Sequence, residues 1–209
     1  MLLGSLKDLE ANLWVFDCDG VIYDSTKEAE KEVMGLMSKF IALHFGCSVE
    51  EALNIRQELL RKYQVPNTVM ALVREGFNER EILKNTYFAI NFKKLGIVPS
   101  PELHEFLCSL PGKKVVLSNN HKKFIQVVLN ILGISNCFSA IYGAEELSPA
   151  RKPDLRAFKL VQNTVGISDK VVFIDDEIPN VIVAEQFGWT AIWKGNGNGY
   201  DGLAISKLR

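Results

Sequence analysis

Two aspartates, Asp17 and Asp19, stand directly behind a short apolar run in the segment LWVFDCDG at residues 13–20. Polar residues also follow two later apolar runs, and a lysine stands between those runs: Ser118, Asn119, Lys152, Asp175 and Asp176. If the runs are parallel strands, their carboxyl ends lie at one edge of a sheet. The side chains would then meet at that edge.

A group of carboxylates at close range needs a bound cation, because like charges repel each other. Ligands that are all oxygen, without His or Cys, suit Mg²⁺, which also accepts substrate phosphate as a ligand. The candidate metal ligands are Asp17, Asp19, Asp175 and Asp176. The candidate phosphate-binding residues are Ser118, Asn119 and Lys152, because hydroxyl groups, backbone N–H groups at a helix start and ammonium groups bind phosphate oxygens.

With a phosphate ester at this site, Asp17 can act as the nucleophile and form a covalent aspartyl intermediate. Asp19 can protonate the leaving oxygen and later take a proton from the attacking water. Each motif also has an ordinary reading, since Asp and Ser are common in turns and helix caps. Four such motifs in this order, each at a predicted strand end or loop, favour a catalytic site.

The elements that must position these residues are short buried strands. Residues 13–16, 114–117 and 171–174 are rich in Val, Ile, Phe or Trp and are followed at once by polar residues. Residues 138–142 and 190–193 are two further strand candidates. The segments between them have helical periodicity, one helix closing at Gly133 and two later ones opening near Pro153 and Pro179. This alternation predicts an α/β fold with a doubly wound parallel sheet.

Residues 25 to about 95 differ from the rest, because they carry helix signals and no strand-like run. Ser48 with Glu51, and Asn78 with Glu81, have the spacing of a capping box or its Asn variant. We expect four helices in a small bundle, with residues 96–101 as the return linker. The predicted domains are an α/β core (residues 1–22 and 97–209) and an inserted helical domain (residues 23–96).

The composition bounds the function. Of 209 residues, 47% are hydrophobic, which suits a core domain with a smaller companion. The net charge of −1 gives no broad electrostatic reason to expect a nucleic acid polymer or an anionic membrane as a partner. Charged residues interrupt the apolar N-terminus, and no apolar run approaches about 18 residues, so we expect neither a signal peptide nor a membrane helix.

Four scattered cysteines without a Cys-x-x-Cys pair, and three histidines far apart in sequence, lead us to expect neither a zinc site nor a disulfide framework. Reduced thiols are the default in the cytoplasm, where we expect the protein to act. The expected partner is a small-molecule phosphate ester, and the sequence leaves the oligomeric state open.

The order of these motifs resembles the haloacid dehalogenase-like (HAD) hydrolase superfamily over essentially the whole chain. VFDCDG resembles the first family motif, VVLSNN the second, RKPD the third and VFIDDEIPN the fourth. The resemblance implies a Rossmann-like core, a helical cap of the C1 type that closes over the site and helps to choose the substrate, and Mg²⁺ as cofactor.

The resemblance also implies a role for each matching residue. Asp17 would be the nucleophile and Asp19 the acid/base, while Ser118 binds the transferring phosphoryl group and Lys152 supports it. The metal ligands would be Asp17, Asp176 and the backbone carbonyl of Asp19, with Asp175 as a ligand or as a partner of one. Dehalogenase members lack the second aspartate, so Asp19 favours phosphate ester chemistry. Val21 stands where many members have Thr.

A finer resemblance lies in the helical insertion. IRQELLRKYQV followed by VMALVREGFNEREI is similar to the cap of pyrimidine 5′-nucleotidase-like members, and Arg56 and Tyr63 fit that pattern. Leu59 and Leu60 stand where those members often carry aromatic residues, and residues 64–66 replace a glycine-bearing turn. The implied substrate is a nucleoside 5′-monophosphate.

Other activities stay open at this point. A sugar-phosphate mutase and a phosphoglycolate or sugar phosphatase would use the same motifs. An inactive family member that serves as a binding module is an alternative from another class. A receiver domain also has an acidic pair, but there the pair follows the first strand, and the inserted helices have no place in that fold.

Several neighbouring residues have two readings. Cys18 lies between the aspartates, but neighbouring side chains on an extended segment point to opposite sides, so we expect it to pack into the core. We expect His121 to face solvent in the first turn of a helix.

Tyr23 and Asp24 would either line the cleft or form a hinge. Tyr63, Tyr87 and Phe88 would belong to the bundle core, and Arg56 and Arg74 are the candidates for substrate contact.

Overall fold

The computed structural model describes residues 6, 9–24, 27–166 and 169–195, with the backbone alone at residues 27–30. The predicted domains therefore extend beyond the described residues at both ends of the chain. The described part contains one five-stranded sheet, all of whose strands are parallel, in the order β3-β2-β1-β4-β5. Its strands are β1 (Leu13–Phe16), β2 (Lys113–Leu117), β3 (Ala140–Tyr142), β4 (Val171–Asp175) and β5 (Thr190–Trp193).

Both faces of the sheet are buried. In β1, Trp14 and Phe16 belong to one hydrophobic cluster, and Leu13 and Val15 belong to another on the opposite face. A strand that is covered on both faces reads as a continuous apolar run, because neither set of alternating side chains meets water. This confirms the predicted α/β fold with a doubly wound parallel sheet.

The described helices are α1 (Lys27–Phe45), α2 (Val49–Tyr63), α3 (Thr68–Glu75), α4 (Glu79–Asn85), α5 (Pro101–Ser109), α6 (Lys122–Leu132), α7 (Ala144–Leu147), α8 (Leu155–Val165) and α9 (Ile178–Gln186). Short 3₁₀ turns lie at Tyr87–Ala89 and Ser135–Cys137. None of the helices in the described ranges is long and apolar enough to cross a membrane.

The helical insertion, which we define as α1 to α4 and the 3₁₀ turn at Tyr87–Ala89, follows β1 as expected. Its predicted caps are present, since the Ser48 hydroxyl accepts from the Glu51 N–H while the Glu51 carboxylate accepts from the Ser48 N–H. Its apolar residues join the cluster on one face of the sheet, which contains Ile41 and Leu72 together with Phe106. The domain boundaries at residues 22/23 and 96/97 stay a prediction.

Three local details differ from the expectation. Helix α5 lies between the linker and β2, where no helix was predicted; Ser100 caps it and Pro101 begins it. Helix α8 begins after Pro153, because the Asp154 carboxylate accepts from the Arg156 N–H and forms the cap there. Strand β3 begins at Ala140, two residues later than the apolar run suggests.

Candidate active site

The carboxyl ends of three neighbouring strands form the site. The register pairs Phe16 of β1 with Val116 of β2 and with Ile174 of β4, so these strands end at the same level. The Asp17 N–H then donates to the Ile174 carbonyl at 2.9 Å, which keeps the first aspartate on the sheet edge. Carboxylate oxygens of three residues lie within 4.8 Å of one another: Asp17, Asp175 and Asp176. We call these three the aspartate cluster.

The ammonium of Lys152 joins two members of the aspartate cluster. Its Nζ lies 2.8 Å from Asp17 Oδ1 and 2.6 Å from Asp175 Oδ2, and its side chain is only 1% exposed. Burial alone would lower the pKa of Lys152, but Asp17 and Asp175 raise it above its ordinary value, so the lysine stays charged. Removing one partner of such a buried pair costs about 3–5 kcal/mol, because it leaves an uncompensated buried charge.

Asn119 holds the backbone that carries this lysine. Its side-chain N–H donates to the Lys152 carbonyl at 3.0 Å, and its oxygen accepts from the Lys152 N–H at 2.8 Å. Asn119 lines the cleft, but its side-chain amide is engaged with Lys152, and its role in phosphate binding stays a prediction. Any contact of Asn119 with phosphate would therefore use its backbone N–H.

The two acidic residues after β4 have different environments. Asp175 is fully buried, and its Oδ1 accepts from the Glu177 N–H at 2.8 Å and from the Asn180 side chain at 3.0 Å. With the other oxygen on Lys152, Asp175 is well placed to orient the lysine. Asp176 is only partly buried, and burial, followed by the nearby charge of Asp175, raises its pKa to about 6.

These observations fit a hard divalent cation. The aspartate cluster and Asp19 bring four carboxylates to the site, and the Lys152 ammonium contacts two of them, Asp17 and Asp175. The donors are oxygen atoms, which is the set that Mg²⁺ prefers. Asp17, Asp176 and the partly satisfied Asp175 would hold the ion, while the Asp19 carbonyl stays a predicted ligand.

Gly20 allows the loop after β1 to approach Asp176. A Cβ at this position would stand 2.1 Å from Asp176 Oδ2, and the backbone φ is +77°, in the left-handed region. Glycine is therefore favoured at this position for two reasons: the backbone has a positive φ, and the Asp176 carboxylate leaves no room for a side chain.

Asp19 lies across the cleft from the lysine, and three side chains hold its carboxylate. The Tyr23 hydroxyl and the Asn120 amide donate to it, and the Ser118 hydroxyl is 3.4 Å away. Tyr23 therefore lines the cleft, whereas Asp24 points to Lys194, with 2.8 Å between Oδ1 and Nζ. Neither Tyr23 nor Asn120 was predicted as a partner of Asp19. The only indication in the sequence was that each residue stands next to one of the motifs.

Cys18 is fully buried, as predicted, between the two catalytic candidates. Burial, and then the charges of Asp19 and Asp17, raise the pKa of its thiol well above the ordinary value. A thiol in this state is a poor nucleophile.

A cavity of about 540 Å³ lies between the helical insertion and the sheet edge. Asp19, Asn119 and Asn120 border it, and so does Arg151, which also borders the smaller cavity of about 180 Å³ at Asp17 and Lys152. The apolar lining of the larger cavity includes the rings of Tyr87, Phe92 and Phe124. The shared border connects the larger cavity to the aspartate cluster.

Two polar residues of the insertion, Arg56 and Asn67, border this cavity. Arg56 Nε donates to Thr68 Oγ1 at 2.7 Å, and no carboxylate of the described residues pairs with this guanidinium. Asn67 Oδ1 accepts from the Met70 N–H, which leaves its buried Nδ2 without a partner. Arg74 is exposed and borders neither cavity, and Tyr63 donates to Glu75 instead.

His121 differs from the prediction. It is 1% exposed and caps α6, where its Nδ1 accepts from the Lys123 N–H at 3.2 Å. Its Nε2 lies 2.9 Å from a Glu145 oxygen and 3.4 Å from a Glu79 oxygen, so the histidine joins the insertion to the core. Because Nδ1 accepts, Nε2 carries the proton and donates. That tautomer does not suit a metal ligand, although the three side chains converge.

Comparison with known proteins shows the family of this chain. Residues 12–188 match the haloacid dehalogenase-like hydrolase family, and the chain belongs to this family. It is 28% identical over 117 residues to (S)-2-haloacid dehalogenase 2 of Pseudomonas sp. (strain CBS-3), a match that covers 54% of this chain and 51% of that protein. The match thus spans about half the length of this curated relative.

Solved structures show the same fold at low identity. The 2-haloacid dehalogenase of Pseudomonas syringae pv. Tomato DC3000 superposes with a TM-score of 0.58 at 20% identity, covering 93% of this chain and 92% of that one. A HAD-superfamily hydrolase of Geobacter sulfurreducens PCA gives a TM-score of 0.50 at 17% identity, covering 91% of each chain. These likenesses establish the fold and leave the reaction to the residues of the site.

We predict that Gly20→Ala weakens Mg²⁺ binding at least about tenfold, because the new Cβ displaces a carboxylate from the aspartate cluster. Gly133→Ala is the matched control, since its φ of +76° carries the same strain while nothing lies within 4 Å of its Cβ. Isothermal titration calorimetry of both variants measures the effect. Equal affinity in the two variants would contradict the assigned position of Asp176.

We predict that Asp176→Asn stabilises the metal-free protein at pH 7 by about 1 kcal/mol, a figure reduced for the partial exposure of the side chain. A folded-state pKa raised to about 6 means that ionised Asp176 costs stability above pH 6 and costs none below its unfolded pKa of 3.8. The gain should therefore shrink as pH falls from 6 to 4.

Urea unfolding between pH 4 and 8 measures this dependence. Asp169→Asn, at an exposed aspartate before the opposite end of β4, is the matched control. A gain that is constant with pH would contradict the raised pKa of Asp176.

Proposed function

We propose that this protein is a magnesium-dependent phosphatase that hydrolyses a small phosphate monoester through an aspartyl-phosphate on Asp17. The observation that carries the proposal is Asp19. Its carboxylate is oriented by Tyr23 and Asn120 at the border of the cavity that would receive the leaving group. A proton donor at this place is what an alkoxide leaving group needs.

The chain's own residues can divide the reaction into two steps. A carboxylate oxygen of Asp17 forms a bond to phosphorus, the ester P–O bond breaks, and the leaving oxygen takes the proton of Asp19. Asp19 then accepts a proton from water, which attacks phosphorus and frees phosphate and Asp17. Lys152 orients Asp17 and opposes the rise in its pKa that burial causes, and Ser118 contacts the phosphoryl oxygens. Bound Mg²⁺ supplies neutralisation of the carboxylate and phosphate charges.

Haloacid dehalogenation is the second candidate, because several similar proteins carry that name. A halide leaves without a proton, so such a reaction gives Asp19 no task. This difference favours the phosphatase.

The larger cavity supports a nucleoside 5′-monophosphate as the substrate. Its aromatic lining suits a planar base, and the Arg56 guanidinium at its border suits a carbonyl acceptor on that base. A sugar phosphatase, a phosphoglycolate phosphatase and a sugar-phosphate mutase stay rivals that use the same catalytic residues. Product analysis separates the mutase, which returns the phosphoryl group to substrate instead of releasing phosphate.

We predict that Asp19→Asn lowers kcat/KM for an alkyl phosphate monoester by about 10²–10⁴-fold, because the leaving alkoxide loses its proton donor. The same variant should lose far less kcat/KM with p-nitrophenyl phosphate, whose leaving group is stable as an anion. Phosphate and nitrophenol release, with Mg²⁺ and after chelation, provide the measurement. Asp24→Asn, at an exposed aspartate outside the aspartate cluster, is the control.

Four outcomes would contradict the proposal. Equal losses of kcat/KM with both substrates would show that Asp19 is not the acid. Activity that survives chelation would show that the reaction does not depend on Mg²⁺. Halide release from 2-chloropropionate without phosphate release from any ester would make the protein a dehalogenase. An unmodified protein that is inactive in all these assays would favour the binding module.

For the finer assignment, we predict that Arg56→Ala raises KM for a pyrimidine nucleoside monophosphate by about 10–100-fold, through loss of a charged hydrogen bond. KM for p-nitrophenyl phosphate, which has no carbonyl acceptors, should stay within about twofold. Arg74→Ala is the control on the exposed side of α3. Equal changes for both substrates, or a wide preference for sugar phosphates, would contradict the nucleotide assignment while leaving the phosphatase intact.

A further inference from the structure

A second group of metal-binding side chains lies away from the aspartate cluster. It contains His104 and Cys108 of α5 and Cys137 of the 3₁₀ turn before β3, with one ligand atom of each within 4.8 Å of the others. None of the three borders either of the two cavities described above. We call this group the His-Cys-Cys cluster.

The cluster forms because the fold brings two distant segments together. His104 and Cys108 are four residues apart on one helix, so they share a face of α5. The 3₁₀ turn packs on that helix and adds the third side chain from residue 137. Separation along the chain, which argued against a zinc site, therefore does not hold these side chains apart in space.

The spacing of the ligand atoms suits tetrahedral coordination. Zn–S bonds of about 2.3 Å and a Zn–N bond of about 2.0 Å at tetrahedral angles place two sulfurs about 3.8 Å apart and a sulfur and a nitrogen about 3.5 Å apart. The Cys108 and Cys137 sulfurs are 3.9 Å apart, and the Cys108 sulfur lies 3.8 Å from His104 Nε2. These two sides of the triangle are within about 0.3 Å of the values for one face of a zinc tetrahedron, and the third side, from Cys137 to His104, is at most 4.8 Å.

We propose that His104, Cys108 and Cys137 bind a thiophilic divalent cation of the Zn²⁺ class, with water in the fourth position. Two thiolates and a neutral imidazole balance the charge of the ion, and soft sulfur ligands select it over Mg²⁺. Cys108 is exposed and the other two residues are half-buried, so the ion can enter from solvent. The bound cation would fasten α5, which follows the insertion's return linker, to the segment that leads into β3.

The thiols must release protons for this to occur. Partial burial, followed by the hydrogen bond with Cys108, raises the pKa of Cys137 to about 11. The metal-free protein therefore carries a protonated Cys137, and the cation must displace that proton on binding.

The experiment titrates Co²⁺, as a coloured probe, into the whole chain. The protein is stripped of metal, kept reduced with a phosphine and supplied with excess Mg²⁺ to occupy the aspartate cluster. Thiolate-to-cobalt charge-transfer absorption should saturate at one equivalent, because only thiolate ligands produce it, and Zn²⁺ should then displace Co²⁺. Cys108→Ser should weaken binding by more than about tenfold.

Cys47→Ser is the matched control, since Cys47 is a free cysteine outside the His-Cys-Cys cluster. Thermal unfolding of each metal-free variant shows whether Cys108→Ser, at an exposed position, leaves the fold unchanged. Absence of the charge-transfer band, equal affinity in Cys108→Ser, or loss of the band in Cys47→Ser would overturn the proposal. A Cys108–Cys137 disulfide in air-exposed protein, with no cobalt uptake after reduction, would replace it with a redox pair.

Discussion

The buried ammonium of Lys152 is the interaction on which the site depends. Asp17 and Asp175 end two neighbouring strands, and at the distances that the sheet imposes their charges would repel each other. Lys152 lies between them at 2.8 and 2.6 Å, and Asn119 holds its backbone in place from the end of β2. A charge that would be costly if buried alone thus becomes the centre of a connected set of residues.

The remaining charges are what the site offers to a ligand. Lys152 compensates its two partners, but Asp176 and Asp19 keep carboxylates at the cleft, and Gly20 keeps the first loop close to Asp176. This excess of negative charge lowers the stability of the folded protein, and under the proposed function a cation and a phosphate ester would share it. The helical insertion contributes Arg56 and Asn67 to the border of the larger cavity, and under the proposed function these residues would help to select the substrate.

The strands and the motifs could be predicted because each is a local pattern. A four-residue apolar run such as Leu13–Phe16 indicates a strand that is buried on both faces. The spacing of Ser48 and Glu51 indicates the N-terminal cap of a helix. Pairings across the fold carry no such pattern. Nothing in the sequence connects His121 to Glu79 and Glu145, or Cys108 to Cys137, and the closing of Asn119 on the Lys152 backbone is a contact between two loops.

The role of Asp17 as the nucleophile is tested most directly by mass spectrometry of Asp19→Asn protein that is quenched in acid after incubation with Mg²⁺ and p-nitrophenyl phosphate. Without Asp19 to activate water, the intermediate should accumulate, with one phosphoryl group on the peptide that carries Asp17. In the double variant that carries both Asp17→Asn and Asp19→Asn, the same peptide should remain unmodified. A phosphoryl group on another residue, or none at any time, would contradict the account.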